Sequence, residues 1–127
     1  MKYKEMITED YVSFETAKLL KEKGFEGRMH TFYTEEGTEM ESAYVVPSNF
    51  FPIYRPTLQM AMKWLREREW FICVIPLAFY CGEKVSKFGY SIWAGDNFEV
   101  DEENTPEFTT YKEACEAAIK YCLENLI

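Results

Sequence analysis

The sequence WFICVIPLAFYC at residues 70–81 constrains the fold more than any other stretch of the chain. Its twelve residues carry no charge, yet they are too few to span a membrane, since a spanning helix needs about 20 apolar residues. A helical pattern precedes the stretch and the turn sequence CGEK follows it, so we expect a β-strand paired with VSKFGYSIWAG at 85–95. The near-continuous apolarity predicts burial on both faces over part of the strand. Pro76 cannot donate to a sheet ladder and therefore predicts an edge position or a bulge.

Three segments combine helical spacing of apolar residues with the signals that begin and end helices. Ser13 can cap the first helix, and Gly24 can end it. Thr110 has capping-box spacing with Glu113 at the start of the last helix. The segments are FETAKLLKEKGF at 14–25, TLQMAMKWLRERE at 57–69 and TYKEACEAAIKYCLENLI at 110–127.

Helical spacing also predicts which side chains of the last two helices face the core. In the second helix the predicted core face is Leu58, Ala61, Met62 and Leu65. In the last helix it is Tyr111, Ala114, Cys115, Ala118 and Cys122, whose small members would let the helix lie close to a sheet. A ladder of opposite charges at i,i+4 spacing lies on another side of this helix: Lys112, Glu116, Lys120 and Glu124.

The remaining segments complete a prediction for the whole fold. RMHTFYT at 28–34 and EMESAYVV at 39–46 predict two strands around the glycine-containing turn EEGT. The proline-rich segment 46–56 is predicted to be irregular, and the acidic segment 96–107 to be a connector. We therefore predict a single α+β domain over residues 1–127, in which an antiparallel sheet of about four strands is flanked by three helices in the order αββαββα.

Part of the sequence resembles another part, which suggests an internal duplication of an αββ unit. AKLLKEKGF at 17–25 aligns with MKWLREREW at 62–70 at a constant offset of 45 residues. The alternative explanation is that any amphipathic helix followed by a hairpin gives such matches, because Leu, Lys and Glu are common helix formers. A duplication requires the two helix–hairpin units to superpose and their strands to share one sheet.

Three blocks of the sequence carry a resemblance to known proteins: YVSFETAKLLKEKGF, PTLQMAMKWLRE and TYKEACEAAIKYCLENLI. Together they resemble a set of uncharacterised small acidic proteins found in phage-like and conjugative mobile DNA of Bacteroides-type gut bacteria. The resemblance implies a cytoplasmic accessory protein of a mobile element. It implies no activity and no catalytic residue.

Charge and cysteine usage exclude several classes of function. The net charge of −8 disfavours direct binding to nucleic acid, because phosphate contacts need a basic surface. The charged start MKYKEMITED lacks the apolar core of a signal peptide, so we expect a cytoplasmic protein. The four cysteines form no CxxC pair and His30 is the only histidine, so no metal site and no cofactor are predicted. The cysteines Cys73, Cys81, Cys115 and Cys122 are expected to be reduced, buried and apolar in behaviour.

No catalytic residue is predicted. A Cys–His pair would have to use His30, which lies in a predicted strand, and a lone histidine there is more often packed or exposed than catalytic. No glycine-rich phosphate loop or nucleophile elbow occurs. An enzyme remains an alternative, and it would need a pocket that gathers His30, a cysteine or several carboxylates.

The leading hypothesis is a non-enzymatic protein-interaction protein that binds a partner protein or itself as a homodimer. The proline-rich loop and one edge of the second helix supply the aromatic, Met and Arg side chains that interfaces favour. The candidate partner-binding residues are Phe50, Phe51, Tyr54, Arg55, Met60 and Trp64. The alternative is that the loop folds over the core. If the surface is functional, changing both Phe51 and Trp64 to Glu should abolish association without unfolding the protein.

A second hypothesis uses the acidic residues. A compact acidic face that imitates DNA phosphates would occupy a host nucleic-acid enzyme, and its binding would weaken steeply with salt. The candidate face comprises Asp96, Glu99, Asp101, Glu102 and Glu103, together with Glu35, Glu36, Glu39 and Glu41. A solvated connector that keeps the protein soluble is the alternative explanation of the same residues.

Overall fold

The computed structural model describes residues 7–26, 31–41, 53–77, 87–100 and 106–127, and it has the predicted α+β class with three helices. In these residues two antiparallel sheets of three strands each replace the predicted sheet of four. The helices are α1 (Phe14–Glu22), α2 (Leu58–Arg66) and α3 (Tyr111–Tyr121). The strands are β1 (Thr31–Tyr33), β2 (Glu39–Glu41), β3 (Ile53–Tyr54), β4 (Trp70–Leu77), β5 (Lys87–Ala94) and β6 (Asn97–Val100).

Helix α1 begins and ends where its sequence signals predict. The Ser13 hydroxyl accepts a hydrogen bond from the amide of Thr16 at 3.2 Å, which satisfies one of the unpaired amides of the first turn. Gly24 has a φ of +94°, a left-handed conformation that glycine adopts without a Cβ clash. The amide of Phe25 then donates to the carbonyl of Leu20 at 2.9 Å and closes the helix end.

Helices α2 and α3 are capped in the same way. The hydroxyls of Thr57 and Thr110 each accept a 3.1 Å hydrogen bond from the amide three residues later. The carboxylate of Glu113 does not complete a capping box, because it accepts from the hydroxyl of Thr109 instead. After Tyr121 the backbone continues as a π-helical turn, Cys122–Leu126, so the predicted last helix widens at its end.

The first sheet has the strand order β2-β1-β3, with both pairs antiparallel. The predicted turn between β1 and β2 is confirmed at Gly37, whose φ is +88°. Strand β3 lies in the segment predicted to be irregular, and it pairs Ile53 with Tyr33. It is only two residues long, which is too short to show an alternating pattern.

The second sheet has the order β4-β5-β6, and β6 corrects the prediction of a connector over 96–107. Gly95 and Asp96 form a two-residue turn between β5 and β6, in which Gly95 has a φ of +61°. Strand β4 pairs with β5 over its whole length, as predicted, and lies at the edge of the sheet. Pro76 therefore occupies the edge strand that its missing amide predicts.

Burial on both faces, predicted for part of β4, is not confirmed for the first half of the strand. Trp70, Ile72 and Val74 pack against the core from one face of the strand. On the other face Phe71 and Cys73 are exposed. The two remaining positions of that outer face, towards the end of the strand, are half-buried.

The internal duplication is not confirmed. The second hairpin, β4–β5, belongs to a different sheet from the first hairpin, β1–β2. The central strand also differs: it is the first strand of one sheet and the second strand of the other. Two amphipathic helices that each precede a hairpin explain the similarity of 17–25 to 62–70 without a duplication.

The core forms where the three helices meet the two sheets. The predicted core face of α2 is confirmed, with Ala61 and Leu65 completely buried. In α3 and the π-helical turn that follows it, the predicted Ala114, Cys115, Ala118 and Cys122 are buried, and they are joined by Ile119 and Leu123. Tyr111 was wrongly placed on this face: it is exposed and contacts Phe88 edge to face. Within the described residues, no helix has the length and apolarity needed to cross a bilayer.

Candidate binding cleft

A cleft of about 600 Å³ lies between the segment before α1, the first sheet and one side of α3. The carboxylates of the cleft outnumber its basic side chains by five to three. The acidic residues are Glu9, Asp10, Glu39, Glu113 and Glu116, and the basic residues are Arg55, Lys112 and Lys120. Tyr11, Val12, Tyr33, Phe108 and Ala117 provide most of the remaining surface. The cleft therefore carries charges of both signs on a surface that is largely apolar.

Arg55 is the most constrained charged residue of the cleft. Its guanidinium lies over the ring of Tyr11, with 4.1 Å between Cζ and the ring centroid, and a second ring, that of Tyr33, lies 5.6 Å away. The Nε of Arg55 donates to the hydroxyl of Tyr33 at 3.3 Å. That hydroxyl donates in turn to the carbonyl of Val12 at 2.6 Å. These contacts fix both the plane and the direction of the guanidinium.

Backbone pairing brings Tyr11 beneath Arg55. Tyr11 and Thr57 form an isolated antiparallel bridge, in which the amide of Val12 donates to the carbonyl of Pro56 at 3.0 Å. The sheet supports Arg55 from the other side, since the hydroxyl of Thr31 donates to the carbonyl of Arg55 at 2.9 Å. The wall of the cleft is thus built from two segments more than 40 residues apart in the sequence.

Glu116 joins the first helix to the last. Its Oε1 accepts hydrogen bonds from the amide of Ser13 at 2.8 Å and from the hydroxyl of Thr16 at 2.6 Å. The carboxylate therefore lies at the N-terminus of α1, where the helix dipole favours a negative charge. Its Oε2 is buried and has no hydrogen-bond partner among the described residues. Glu116 was predicted to take part in an ion-pair ladder along α3. In the structure its carboxylate makes this contact between two helices instead.

Lys120 makes a second contact between α3 and α1. Its Nζ lies 2.7 Å from the carboxylate of Glu15, while Glu124, its predicted ladder partner, lies 3.9 Å away. The hydrogen bond from Lys120 holds the pKa of Glu15 below its usual value, and the same bond raises the pKa of Lys120. Both groups are exposed, so the pair orients the rim of the cleft more than it stabilises the fold.

The six predicted partner-binding residues differ in their location and exposure. Phe50 and Phe51 lie outside the described residues. Tyr54 is half-buried in β3, and Arg55 lies in the cleft. Met60 is 43% exposed, as a surface role requires, but Trp64 is only 9% exposed and belongs to the core. Trp64 packs edge to face with Phe25 and is covered by Arg68, whose Cζ lies 3.6 Å from the ring centroid.

The predicted acidic residues do not form one described surface. Asp96 lies in the β5–β6 turn, and the exposed Glu99 lies on β6. Asp101, Glu102 and Glu103 lie outside the described residues. The other half of the predicted acidic face belongs to the first sheet: Glu35 and Glu36 in its turn, and Glu39 and Glu41 on β2. Of those acidic residues that the structure describes, only Glu39 lines the cleft.

The cysteines divide by exposure, which corrects the prediction that all are buried. Cys115 and Cys122 are fully buried, whereas Cys73 is exposed on β4. Cys81, like His30, lies outside the described residues. Burial raises the pKa of both the Cys115 and Cys122 thiols to about 12 from the usual 9.0. Neither buried thiol is therefore a nucleophile near neutral pH.

Alkylation should distinguish these thiols. We expect iodoacetamide at pH 8 to label Cys73 in the folded protein and to leave Cys115 and Cys122 unlabelled, because the reagent needs an accessible thiolate. Peptide mapping by mass spectrometry gives the result, and labelling in urea provides the control in which all three should react. Rapid labelling of Cys115 without urea would contradict the placement of α3 against the sheet.

The buried thiols also predict a loss of stability at alkaline pH. Their pKa values are higher in the folded protein than in the unfolded state, so their contribution is complete below about pH 9 and is lost as the pH rises towards 12. Over that range each thiol should lower the free energy of unfolding by about 1.4 kcal/mol per pH unit. Burial raises the pKa of Tyr90 as well, which adds in the same direction.

Urea unfolding at pH 8 gives the baseline, and unfolding at pH 9, 10 and 11 measures this slope. Cys122→Ala is the informative comparison, because it removes one titrating group and should make the slope shallower even if the variant is less stable at every pH. Equal slopes for the two proteins would show that other groups cause the alkaline loss.

Comparison with known proteins adds no assignment to the cleft. No protein-family model, no curated protein and no solved structure matches the sequence. Within the described residues, no three His, Cys, Asp or Glu side chains are arranged to hold a metal ion.

Proposed function

We propose that the protein is a non-enzymatic interaction module that binds a peptide segment of a partner protein in the cleft around Arg55. The observation that carries the proposal is the fixed guanidinium of Arg55, which is stacked on Tyr11 in the wall of a cleft of about 600 Å³. Arg and Tyr are enriched at the centres of protein interfaces, where preorganised side chains lose little entropy on binding. The resemblance noted in the sequence would make the module an accessory protein of a mobile element.

The lining of the cleft favours a peptide over the other ligand classes. Pockets for small organic molecules combine an apolar lining with a small number of polar groups, whereas eight of the fourteen lining residues here are charged. A nucleic acid would meet five carboxylates and only three basic groups. A peptide segment that carries charges of both signs can pair with each kind of lining residue.

Selection from a displayed library of random heptapeptides tests the proposal. Peptides enriched on the wild-type protein should lose binding to Ala117→Trp, because Ala117 lines the cleft and an indole at this position would obstruct part of it. Lys63→Trp is the matched control, since Lys63 is exposed on α2 and does not line the cleft. The proposal fails if no peptide is enriched or if the enriched peptides bind Ala117→Trp as well as they bind the wild type.

A further inference from the structure

We propose that Arg55 binds a carboxylate of the incoming segment, and that Glu39 occupies the place of this carboxylate in the free protein. The inference rests on the proposed function and specifies its chemistry: the ligand presents a carboxylate together with a nearby cationic group. Either the C-terminus of a peptide or an Asp or Glu side chain within it could supply the carboxylate.

The first step is that Arg55 is prepared to bind an anion. Its side chain is 18% exposed, so it is largely removed from water but still accessible from the cleft. Its Nε is used by Tyr33 and one face of the guanidinium by Tyr11, which leaves the Nη edge for a ligand. An arginine held in this way can bind a carboxylate through two parallel hydrogen bonds with little loss of side-chain entropy.

The second step is that the contact with Glu39 is weak and replaceable. Within the described residues, Arg55 meets Glu39 through a single separation of 3.4 Å between Nη2 and Oε2. This distance exceeds the 2.7–2.9 Å of a good charge-assisted hydrogen bond. The Glu39 side chain is 62% exposed on the edge strand β2, so it can turn into solvent at little cost. A surface pair of this kind contributes about 0–1 kcal/mol.

The third step concerns the rest of the ligand. A lone anion would be repelled by the other carboxylates of the cleft, which leave its lining with a net charge of −2. Asp10 and Glu113 are exposed at the rim and can pair with a Lys or Arg side chain next to the bound carboxylate. The segment that fits is therefore dipolar, with its carboxylate at Arg55 and its cationic group towards α3.

Dipeptide probes separate these requirements. The probe is N-acetyl-lysyl-glycine with a free carboxylate, titrated to tens of millimolar into ¹⁵N-labelled protein. The Nε–H resonance of Arg55 should shift and saturate. The amidated probe lacks the carboxylate and N-acetyl-norleucyl-glycine lacks the cation, so each should bind at least about five-fold more weakly, as expected for the loss of about 1 kcal/mol. N-acetyl-lysyl-glutamate amide shows whether a side-chain carboxylate serves as well as a C-terminus.

Two matched variants test the role of Glu39. Glu39→Gln should bind the probe about two- to five-fold more tightly, because the internal competitor is weakened while its size is kept. Glu41→Gln removes the same charge from the same face of β2 but does not line the cleft, so it should bind like the wild type. Equal effects of the two variants would overturn the inference, because they would reflect net charge alone.

Variants of Arg55 complete the design. Arg55→Gln should abolish saturable binding, and Arg55→Lys should weaken it about ten-fold, because lysine keeps the charge but not the two parallel hydrogen bonds. If probes or selected peptides shift resonances of Lys112 and Ala117 equally in all three proteins, the carboxylate anchor is wrong while the binding cleft stands. If neither the dipeptides nor the selected peptides shift any cleft resonance, the proposed function itself is wrong.

Discussion

Replacing Trp64 with glutamate is expected to leave the protein unfolded or only marginally stable. Trp64 packs between Phe25 and the guanidinium of Arg68 at the outer side of the core, and only 9% of its surface is exposed. Removing a buried indole costs about 3–5 kcal/mol, and burying a carboxylate in its place adds a desolvation cost. Domains of this size are stable by about 5–15 kcal/mol, so the loss is a large share of the total.

Met60→Glu supplies the comparison from the same helix. Met60 is 43% exposed and lies one turn before Trp64, so the same substitution should change the free energy of unfolding by no more than about 0.5 kcal/mol. Urea unfolding followed by circular dichroism measures both variants. If the Trp64→Glu protein is as stable as the Met60→Glu protein but no longer self-associates, Trp64 belongs to the predicted partner-binding surface and not to the core.

The helices were predictable because their signals are local. Ser13, Thr57 and Thr110 each cap a helix within three residues of their own position, and Gly24 ends α1 by its own backbone conformation. A cap depends on a few neighbouring residues, so a short stretch of sequence contains all of it. The side on which Trp64 is buried depends instead on Phe25, which arrives from the end of another helix.

The sheets were less predictable because their pairing is not local. Strand β3 has two residues and β6 has four with a bulge, so neither gives a clear alternating pattern. The Gly95–Asp96 turn was a usable hairpin signal, since glycine before a polar residue is typical of two-residue turns. The acidic residues around it favoured a connector instead. The order of apolar and polar residues in a single strand does not show which sheet the strand joins.

The cleft could be predicted only in part. Arg55 was identified from composition, as an arginine in an aromatic segment. Tyr11 and Tyr33 were not identified, because their relation to Arg55 depends on a bridge between the segment before α1 and the start of α2, and on the strand order of the first sheet. Glu116 was assigned to a surface ladder by its spacing, although its partner Ser13 is 103 residues away.

Removing the carboxylate of Glu116 is expected to destabilise the protein by about 1–3 kcal/mol. Glu116→Ala leaves the buried hydroxyl of Thr16 without its 2.6 Å acceptor, and it also removes the acceptor of the Ser13 amide at the N-terminus of α1. Glu116→Gln keeps an acceptor but not the charge, so it should lose only part of this stability. Glu113→Ala is the control on the same helix, because Glu113 is exposed and its side chain bonds only to the exposed Thr109 among the described residues.

A double-mutant cycle shows whether the effect belongs to the contact between α1 and α3. Thr16→Val preserves the shape of the side chain and removes the donor, so it should cost about 1 kcal/mol alone. In the variant with Thr16→Val and Glu116→Ala no buried hydroxyl is left unpaired, and its loss should be smaller than the sum of the two single losses by about 0.5–2 kcal/mol. Additive losses, measured by urea unfolding, would mean that Glu116 stabilises the protein through the helix dipole or through Ser13. The contact between α1 and α3 would then depend on the charge of Glu116 at the N-terminus of α1. Its contribution to the free energy of unfolding should decrease as salt is added, whereas the contribution of a buried hydrogen bond should not.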